Sequence, residues 1–388
     1  MTGSAVRVGG EGSEMAAGMQ FALFLSTLGL VRGGLETIAS TFAQGLAARG
    51  HKVTCVAGAW PGRPLPDDLA CCGVEWLRLP VLPLDLAGGF GTSTRNRARR
   101  LKAQSLSFVV ACRCHPSVRH LLATAGATLS LLEIETVYLS RWRTAKRLSH
   151  ISYFPGVIDR SWIERDKSSL RLAISRTLVD ASPGVRIDGV LAPGIHANRL
   201  RRAFVVRSKA QAIFFAGRLE INKGVWELLR IFEALASDRP ALGLRLAGDG
   251  PLRGPLREWV ERRGLAGRVR FLGTLPPSQV QAELSNSDLF LFPTHYESFG
   301  LAALEAQAAG VPVVCSDLPV MQEATGGAAL LLPRRDVTAW VESVGPLLDD
   351  VRARQRLSQA GRRNAEQLTW TRAIEKLEGY LLLAARQA

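Results

Sequence analysis

The stretch DLFLFPTHYESFGLAALEAQAAGVPVVCS, residues 288–316, admits few folds. Two short apolar runs, DLFLFPT and VPVVCS, enclose an Ala- and Leu-rich segment, with Gly300 and Gly310 at the seams. Runs of that length and composition suit strands buried on both faces. The segment between them predicts a helix over Gly300–Ala309, so the unit reads as a strand–turn–helix–strand crossover of a parallel sheet. The helix then begins at the carboxyl end of a parallel strand. Open α/β sheets bind ligands at that edge, and a helix N-terminus there favours an anion. Two carboxylates, Glu297 and Glu305, bracket the helix start. A ligand carrying hydroxyl groups as well as phosphates fits such a pair.

The rest of the chain repeats the alternation. In the first half MQFALFLS, HKVTCVAG, VEWLRLP, ATLSLLEI, HISYFPG and LRLAIS read as strands, with helices over Gly34–Arg49, Ser117–Ala125 and Leu139–Leu148. In the second half AIFFAG, GLRLAGDG, VRFLGT, DLFLFP, VPVVCS and AALLLP read as strands. Helices are expected between them at Val225–Ala236, Leu252–Arg263, Ser278–Asn286 and Gly300–Ala309, and a last one near Arg372–Ala385. At 388 residues the chain suits two α/β domains rather than one. Residues 1–18, rich in Gly, Ala, Ser and Glu, read as a disordered leader. Residues 19–197 form an expected N-terminal domain, 198–369 a second, and 370–388 a closing helix. The Gly- and Arg-rich region Pro80–Leu106 reads as a mobile loop.

Composition narrows the function classes. No apolar run is long enough to span a bilayer. Net charge is +15, of which residues 1–200 carry +10, from 24 basic and 14 acidic residues. Arg95, Arg97, Arg99, Arg100 and Lys102 make one dense patch, and Arg141, Arg143, Lys146 and Arg147 a second. These read either as solvated basic faces or as a peripheral contact with anionic membrane. Nucleic acid is not indicated, because no aromatic-interleaved or helix-turn-helix pattern accompanies them. The six cysteines fit no common zinc spacing, Cys112, Cys114 and His115 included, and read as buried free thiols of a reducing compartment. A cytoplasmic location is expected.

The remaining chemistry sits at strand ends. GRLEINKG follows AIFFAG and supplies Arg218 and Lys223, two cations that suit a diphosphate and would stabilise charge on a departing nucleotide. A surface pair of Arg218 with Glu220 is the plainer reading. Glu305, more than a turn into its helix, can accept two hydrogen bonds from a vicinal diol such as a ribose. Glu297, on the preceding turn, is placed for sugar hydroxyls. Gly248, Asp249 and Gly250 end a strand, either to admit a ligand or simply to turn. Gly33 and Gly34 open the first helix and could admit phosphates or a transferred sugar, although the third glycine of a dinucleotide fingerprint is missing. No Asp-x-Asp motif and no Ser/His/Asp or Cys/His nucleophile set is present. Metal-free chemistry is therefore expected.

Together FFAGRLEINKG, LAGDGPL, VRFLGTLP and DLFLFPTHYESFGLAALEAQAAGVPVVCSDLPVMQEATGGAALLLP resemble the retaining glycosyltransferases of the GT-B fold, glycosyl transferases group 1, over roughly residues 210–335. That family includes bacterial mannosyltransferases, sucrose synthase and lipopolysaccharide-core transferases. The resemblance implies two facing Rossmann-like α/β domains with parallel sheets and a cleft between them, and a closing helix, TW…A…L…Y, that packs back on the first. It implies that Arg218 and Lys223 hold the diphosphate, Glu305 the ribose and Glu297 the donor sugar. Backbone groups of Ser298, Phe299, Gly300 and Leu301 would touch sugar and phosphate, Gly33 and Gly34 would line the opposite side, and the base would lie near Leu272–Leu275. One departure stands out. The family's histidine before a glycine, after the strand HISYFPG, is replaced by Pro155, and neither His150, His295 nor His196 is a clean substitute.

The implied activity is transfer of a sugar from a UDP- or GDP-linked donor to a hydroxyl of a glycan or lipid-linked acceptor, in cell-envelope or exopolysaccharide synthesis. The donor is a substrate, and no cofactor is implied. A non-catalytic nucleotide-sugar-binding protein and a nucleotide-sugar epimerase are the alternatives.

Overall fold

The computed structural model describes residues 18–27, 34–59, 62, 65, 73–82, 94–131, 139–141, 149–156, 165–196, 198, 207 and 210–387. The chain divides into two compact units, Met1–Pro193 with Trp370–Ala388, and Gly194–Thr369. The leader expected over residues 1–18 lies outside the described residues except for Gly18.

The first unit holds a parallel sheet of β1 (Gln20–Leu25), β2 (Lys52–Ala59), β3 (Val74–Pro80), β4 (Ala127–Ser130), β5 (His150–Phe154), β6 (Leu170–Ala173) and β7 (Gly189–Val190), in the order β3-β2-β1-β4-β5-β6-β7. Its helices are α1 (Gly34–Ala48), α2 (Thr94–Cys114), α3 (Pro116–Thr124) and α4 (Arg176–Asp180), joined by the last helix of the chain, α12 (Trp370–Arg386). Register fixes which side chains share a face. Phe24 lies beside Val56 and Ser130, and Ala22 beside Thr54 and Thr128. On that face Ala22, Phe24, Val56 and Leu79 pack with Phe108, Cys112, Val118 and Leu122 of α2 and α3. The opposite face meets α1 and α12, where Phe42 stands edge-on to Tyr153 at 6.0 Å and to Trp370 at 5.7 Å. Arg49 and His51 tie the α1–β2 junction to Glu378 of α12, with oxygens 2.7 Å and 2.6 Å away.

The second unit holds β8 (Ala212–Ala216), β9 (Gly243–Ala247), β10 (Val269–Gly273), β11 (Leu289–Phe292), β12 (Val313–Ser316) and β13 (Leu330–Leu332), all parallel, in the order β10-β9-β8-β11-β12-β13. The covering helices are α5 (Val225–Ala236), α6 (Arg253–Arg262), α7 (Pro277–Ser285), α8 (Leu301–Ala308), α9 (Pro319–Thr325), α10 (Val337–Asp349) and α11 (Val351–Gln367). Phe214, Phe215, Phe290 and Leu291 are fully buried on central strands, as a sheet covered on both faces requires. The strand order reverses between β8 and β11. The loops that leave these two strands flank the sheet's switch point, the place where open α/β sheets bind ligands.

Several expectations are corrected. Much of the region read as a loop over Pro80–Leu106 is helix, since α2 runs from Thr94 to Cys114. Its Arg, Leu, Lys and Gln residues are good helix formers, and the glycines that suggested a loop all precede it. The helices α9, α10 and α11 were not expected. Most of Leu139–Leu148, and Gly33, Cys71 and Cys72, lie outside the described residues. Cys55, Cys112 and Cys315 are buried free thiols, but Cys114 is exposed at the end of α2. Burial pushes the Cys55 and Cys315 thiols up to about 12, so both stay protonated.

Candidate active site

The site is assembled from backbone before any side chain reaches it. After β8 the chain turns through Gly217–Glu220 into a single 3-10 turn, Ile221–Lys223. Gly224 follows at φ +64°, and α5 begins. A Cβ on Gly224 would stand 1.8 Å from the Pro293 carbonyl oxygen of the loop after β11. That gap is possible only for glycine, so the loops after β8 and β11 lie against each other. His295 N donates to Asn222 O at 2.8 Å, and Thr294 Oγ1 to the same oxygen at 3.1 Å.

The loop after β9 closes on the same strand end. Gly248, at φ +138°, would place a Cβ 1.9 Å from Gly217 O, and one on Gly250 would lie 2.6 Å from Leu219 O. Leu219 N donates to Asp249 O, and Leu252 N to Leu219 O. The Gly-Asp-Gly turn therefore serves the approach of one loop to another.

Gly300, at φ +102°, precedes α8. Its carbonyl accepts from Ala303 N and Leu304 N, while the first N–H groups of the helix have no helical acceptor. Phe299 is buried, and Ser298 and Leu301 are half-buried. Within LAALEAQA the positions that keep some exposure are Leu301, Ala302 and Glu305. These lie three and four apart, so Glu305 shares the face on which the helix opens. Its half-buried carboxylate is the one charge on a helix otherwise made of Leu, Ala and Gln307. The neighbouring Gln307 is structural: its Nε2 donates to Thr325 O and Ala328 O, and its Oε1 accepts from Asn364 Nδ2.

The structure brings Lys223 and Glu297 together across the switch point, Nζ to Oε1 at 2.5 Å, with both side chains less than a fifth exposed. Lys223 Nζ also lies 3.4 Å from Tyr296 O. Arg218 pairs with Glu220, Nη2 to Oε1 at 2.7 Å, the plainer of its two readings, and remains two-fifths exposed. Gly34, in the first unit, is exposed at the start of α1.

His295, one of the residues left open in place of the missing histidine, supports the loops. Its Nε2 lies 3.3 Å from Glu227 Oε1 on α5, and its buried Nδ1 has no partner among the described residues. It thus joins the loop carrying Glu297 to the helix that follows Lys223. No motif marks this pair, because its members belong to different segments, a helix and a loop far apart in sequence. His150 is a core residue of the first unit. It accepts and donates between Thr128 Oγ1 at 2.6 Å and Ser130 Oγ at 2.8 Å, and burial lowers its pKa to about 4. Asp166, also buried, draws hydrogen bonds from Ser168, Arg171 and Ser140. They outweigh the opposing effect of burial and hold its carboxyl below the usual range. His196 is exposed.

Residues 197–364 match the family model described as Glycosyl transferases group 1. A glycogen synthase of Mycobacterium tuberculosis is 30% identical over 364 residues, covering 86% of this chain and 86% of that protein. Among solved structures, sucrose-phosphate synthase from Thermosynechococcus elongatus superposes with a TM-score of 0.73 at 18% identity, over 92% of this chain and 97% of that one. Anabaena HepE, solved with UDP and glucose, gives a TM-score of 0.71 at 16% identity, over 92% and 98%. These two likenesses concern the fold.

Proposed function

Because the chain belongs to the glycosyl transferases group 1 family and is a nucleotide-sugar-dependent glycosyltransferase, we propose that it transfers the sugar with retention from a UDP- or GDP-linked donor bound at the switch point of the second sheet. The observation that carries the reading is the convergence of Arg218, Lys223, Glu297 and the open end of α8 on two adjacent loops. Arg218, Lys223 and the first N–H groups of α8 take the charge of the diphosphate, rather than a metal ion. Glu305 accepts from the ribose diol, and Glu297 faces the transferred sugar.

In the free protein Lys223 and Glu297 neutralise each other. Donor binding exchanges partners: the diphosphate takes Lys223, and Glu297 is released to the sugar hydroxyls. The acceptor oxygen then bonds to the anomeric carbon on the face from which the diphosphate departs. The carbon–oxygen bond to the diphosphate breaks, and the leaving phosphate oxygen takes the acceptor's proton. No enzymic nucleophile is used. The fixed cations stabilise the leaving charge as it forms, where such groups act most strongly.

UDP is the first nucleotide to test, since HepE was solved with it, and a glycan hydroxyl the first acceptor, since a relative is named a glycogen synthase. A lipid-linked envelope acceptor at the inner face of the plasma membrane is the finer proposal. Leu106 and Val110, one turn apart on α2, are about half exposed, as is Leu82, whose N–H bonds to Ser107 Oγ of that helix. The same helix begins with the basic run Arg95–Lys102. An apolar patch beside a basic run is what an anionic bilayer attracts.

The test is a thermal-shift screen of UDP, GDP and their sugars, followed by product analysis with donor alone and donor plus glycan. Arg218→Ala, Lys223→Ala and Glu305→Ala each weaken donor binding about tenfold or more. Glu297→Ala lowers turnover while nucleotide affinity holds or rises, because Lys223 is freed. Undiminished transfer by the Lys223→Ala, Glu305→Ala double variant would refute the assignment. Consumption of donor without transfer would favour an epimerase, and donor binding without consumption a non-catalytic protein.

A further inference from the structure

The second sheet has a basic cavity at its other end. It is about 550 Å³ in volume and lies at the amino ends of β8, β9 and β10, between the approaches to those strands near Arg207, Pro240 and Gly267. Strands of five residues separate it from the donor loops by about 16 Å. Among the described residues it is lined by four arginines, Arg207, Arg245, Arg268 and Arg270, and by no acidic side chain.

Two of the four charges are compensated nearby. Arg207 pairs with Asp288 at 3.0 Å, and Arg245 with Glu283 at 3.1 Å. The other two are not, among the described residues. Arg268 donates to three neutral carbonyls, Leu242 O, Ala236 O and Arg239 O, which hold its guanidinium in place without cancelling its charge. Arg270 is exposed.

The sheet register sharpens the point. Arg270 on β10 stands directly beside Arg245 on β9, so two guanidinium side chains leave the same face of adjacent strands. Glu283 offsets the charge of Arg245, and Arg270 beside it is left without an anion among the described residues. Arg245 is held in place: its Nη2 donates to Glu283 O, Asn286 O and Ser287 Oγ, and its Nε is buried. The rigidly held, half-buried guanidinium of Arg268, which keeps N–H groups beyond its three carbonyl bonds, and the exposed one of Arg270 match the oxygens of a phosphate. The cavity is larger than a lone phosphate needs and falls within the range of small-molecule pockets.

We propose that this cavity is a second ligand site, which binds a phosphomonoester of sugar size with its phosphate between Arg268 and Arg270. The site is distinct from the donor site and does not depend on the donor assignment.

Isothermal titration tests it with three probes: inorganic phosphate, glucose 6-phosphate and glucose. The protein carries Arg218→Ala and Lys223→Ala, so that phosphate cannot be counted at the donor loops. Both phosphates bind this background, the sugar phosphate more tightly, and glucose does not. Adding Arg270→Gln weakens both about tenfold, and Arg270→Glu abolishes them. Arg270 is exposed at the sheet edge, so these variants fold, and without ligand Arg270→Gln melts no lower than its parent because a like-charge neighbour has gone. Equal phosphate affinity in the Arg270→Glu variant, or no phosphate binding in the parent at millimolar concentration, overturns the site. A sugar phosphate that binds no better than inorganic phosphate overturns the sugar-sized part of the proposal. Failure of the donor assays leaves all these outcomes readable.

Discussion

At the scale of single residues, two histidines show how far position governs chemistry. His295 stands beside the site and supports it through Glu227. His150, in the strand that precedes the missing family histidine, is locked between two hydroxyls in the core. Its neutral state has a measurable consequence. The unfolded chain takes up the imidazole proton near the ordinary pKa of about 6.5, whereas the folded chain does not until about 4. Between those values the unfolded state binds more protons, so stability is present above about pH 6.5 and falls as pH drops toward 4. Asp166 adds a loss at still lower pH, because its folded carboxyl ionises more readily than the unfolded one. Replacing His150 by Gln, which can still meet both hydroxyls, flattens the slope of melting temperature against pH between 6.5 and 4.5. An unchanged slope would mean that the imidazole is not the group involved. The carboxylates at the proposed donor site were legible from sequence because both fall in one motif, and Glu305 is the single charge on its helix. The pairing of Lys223 with Glu297 was not, since they lie 74 positions apart.

At the scale of elements, the glycines decide how closely the loops approach. Gly224 combines a left-handed φ with a contact that no side chain can occupy. Gly224→Ala has to displace Pro293 or unwind the start of α5. A destabilisation of about 2 kcal/mol or more, with a loss of donor binding that exceeds it, is expected. Denaturant titration and nucleotide binding on the same sample check this. A stable variant with normal binding would show that the two loops are not held against each other. The crossover from β11 through α8 to β12 was readable because its apolar runs and glycine seams are contiguous. The helix α2 was misread because a dense basic composition resembles a loop, while helix propensity accumulates over many residues. The helices α10 and α11 announce themselves only by Asp336 and Asp350, whose side chains accept from Ala339 N and Ala353 N as helix caps.

At the scale of the whole molecule, charge is distributed unevenly. The first half carries most of the net +15, and its basic run leads into the half-exposed Leu106 and Val110. If the envelope reading holds, the protein sediments with vesicles containing anionic lipid, less so as salt rises, and Leu106→Ser with Val110→Ser reduces the salt-resistant part. Absent binding, or binding indifferent to both salt and these substitutions, would remove the membrane from the proposal. None of the helices in the described residues is long and apolar enough to cross a bilayer. The chain leaves its first unit at Pro193 and returns to it at Trp370, where Phe42 and Glu378 receive α12.

The sequence by itself determined what is local and periodic: the parallel α/β class, the crossover at residues 288–316, the strand ends that bear cations and carboxylates, and the family. Apolar period, glycine position and motif order are properties of neighbours along the chain, so one sequence suffices to see them. Tertiary structure alone decided which charges meet. Lys223 with Glu297, His295 with Glu227, and Arg245 beside Arg270 each depend on strand order and register, which bring together residues that nothing in the intervening sequence connects.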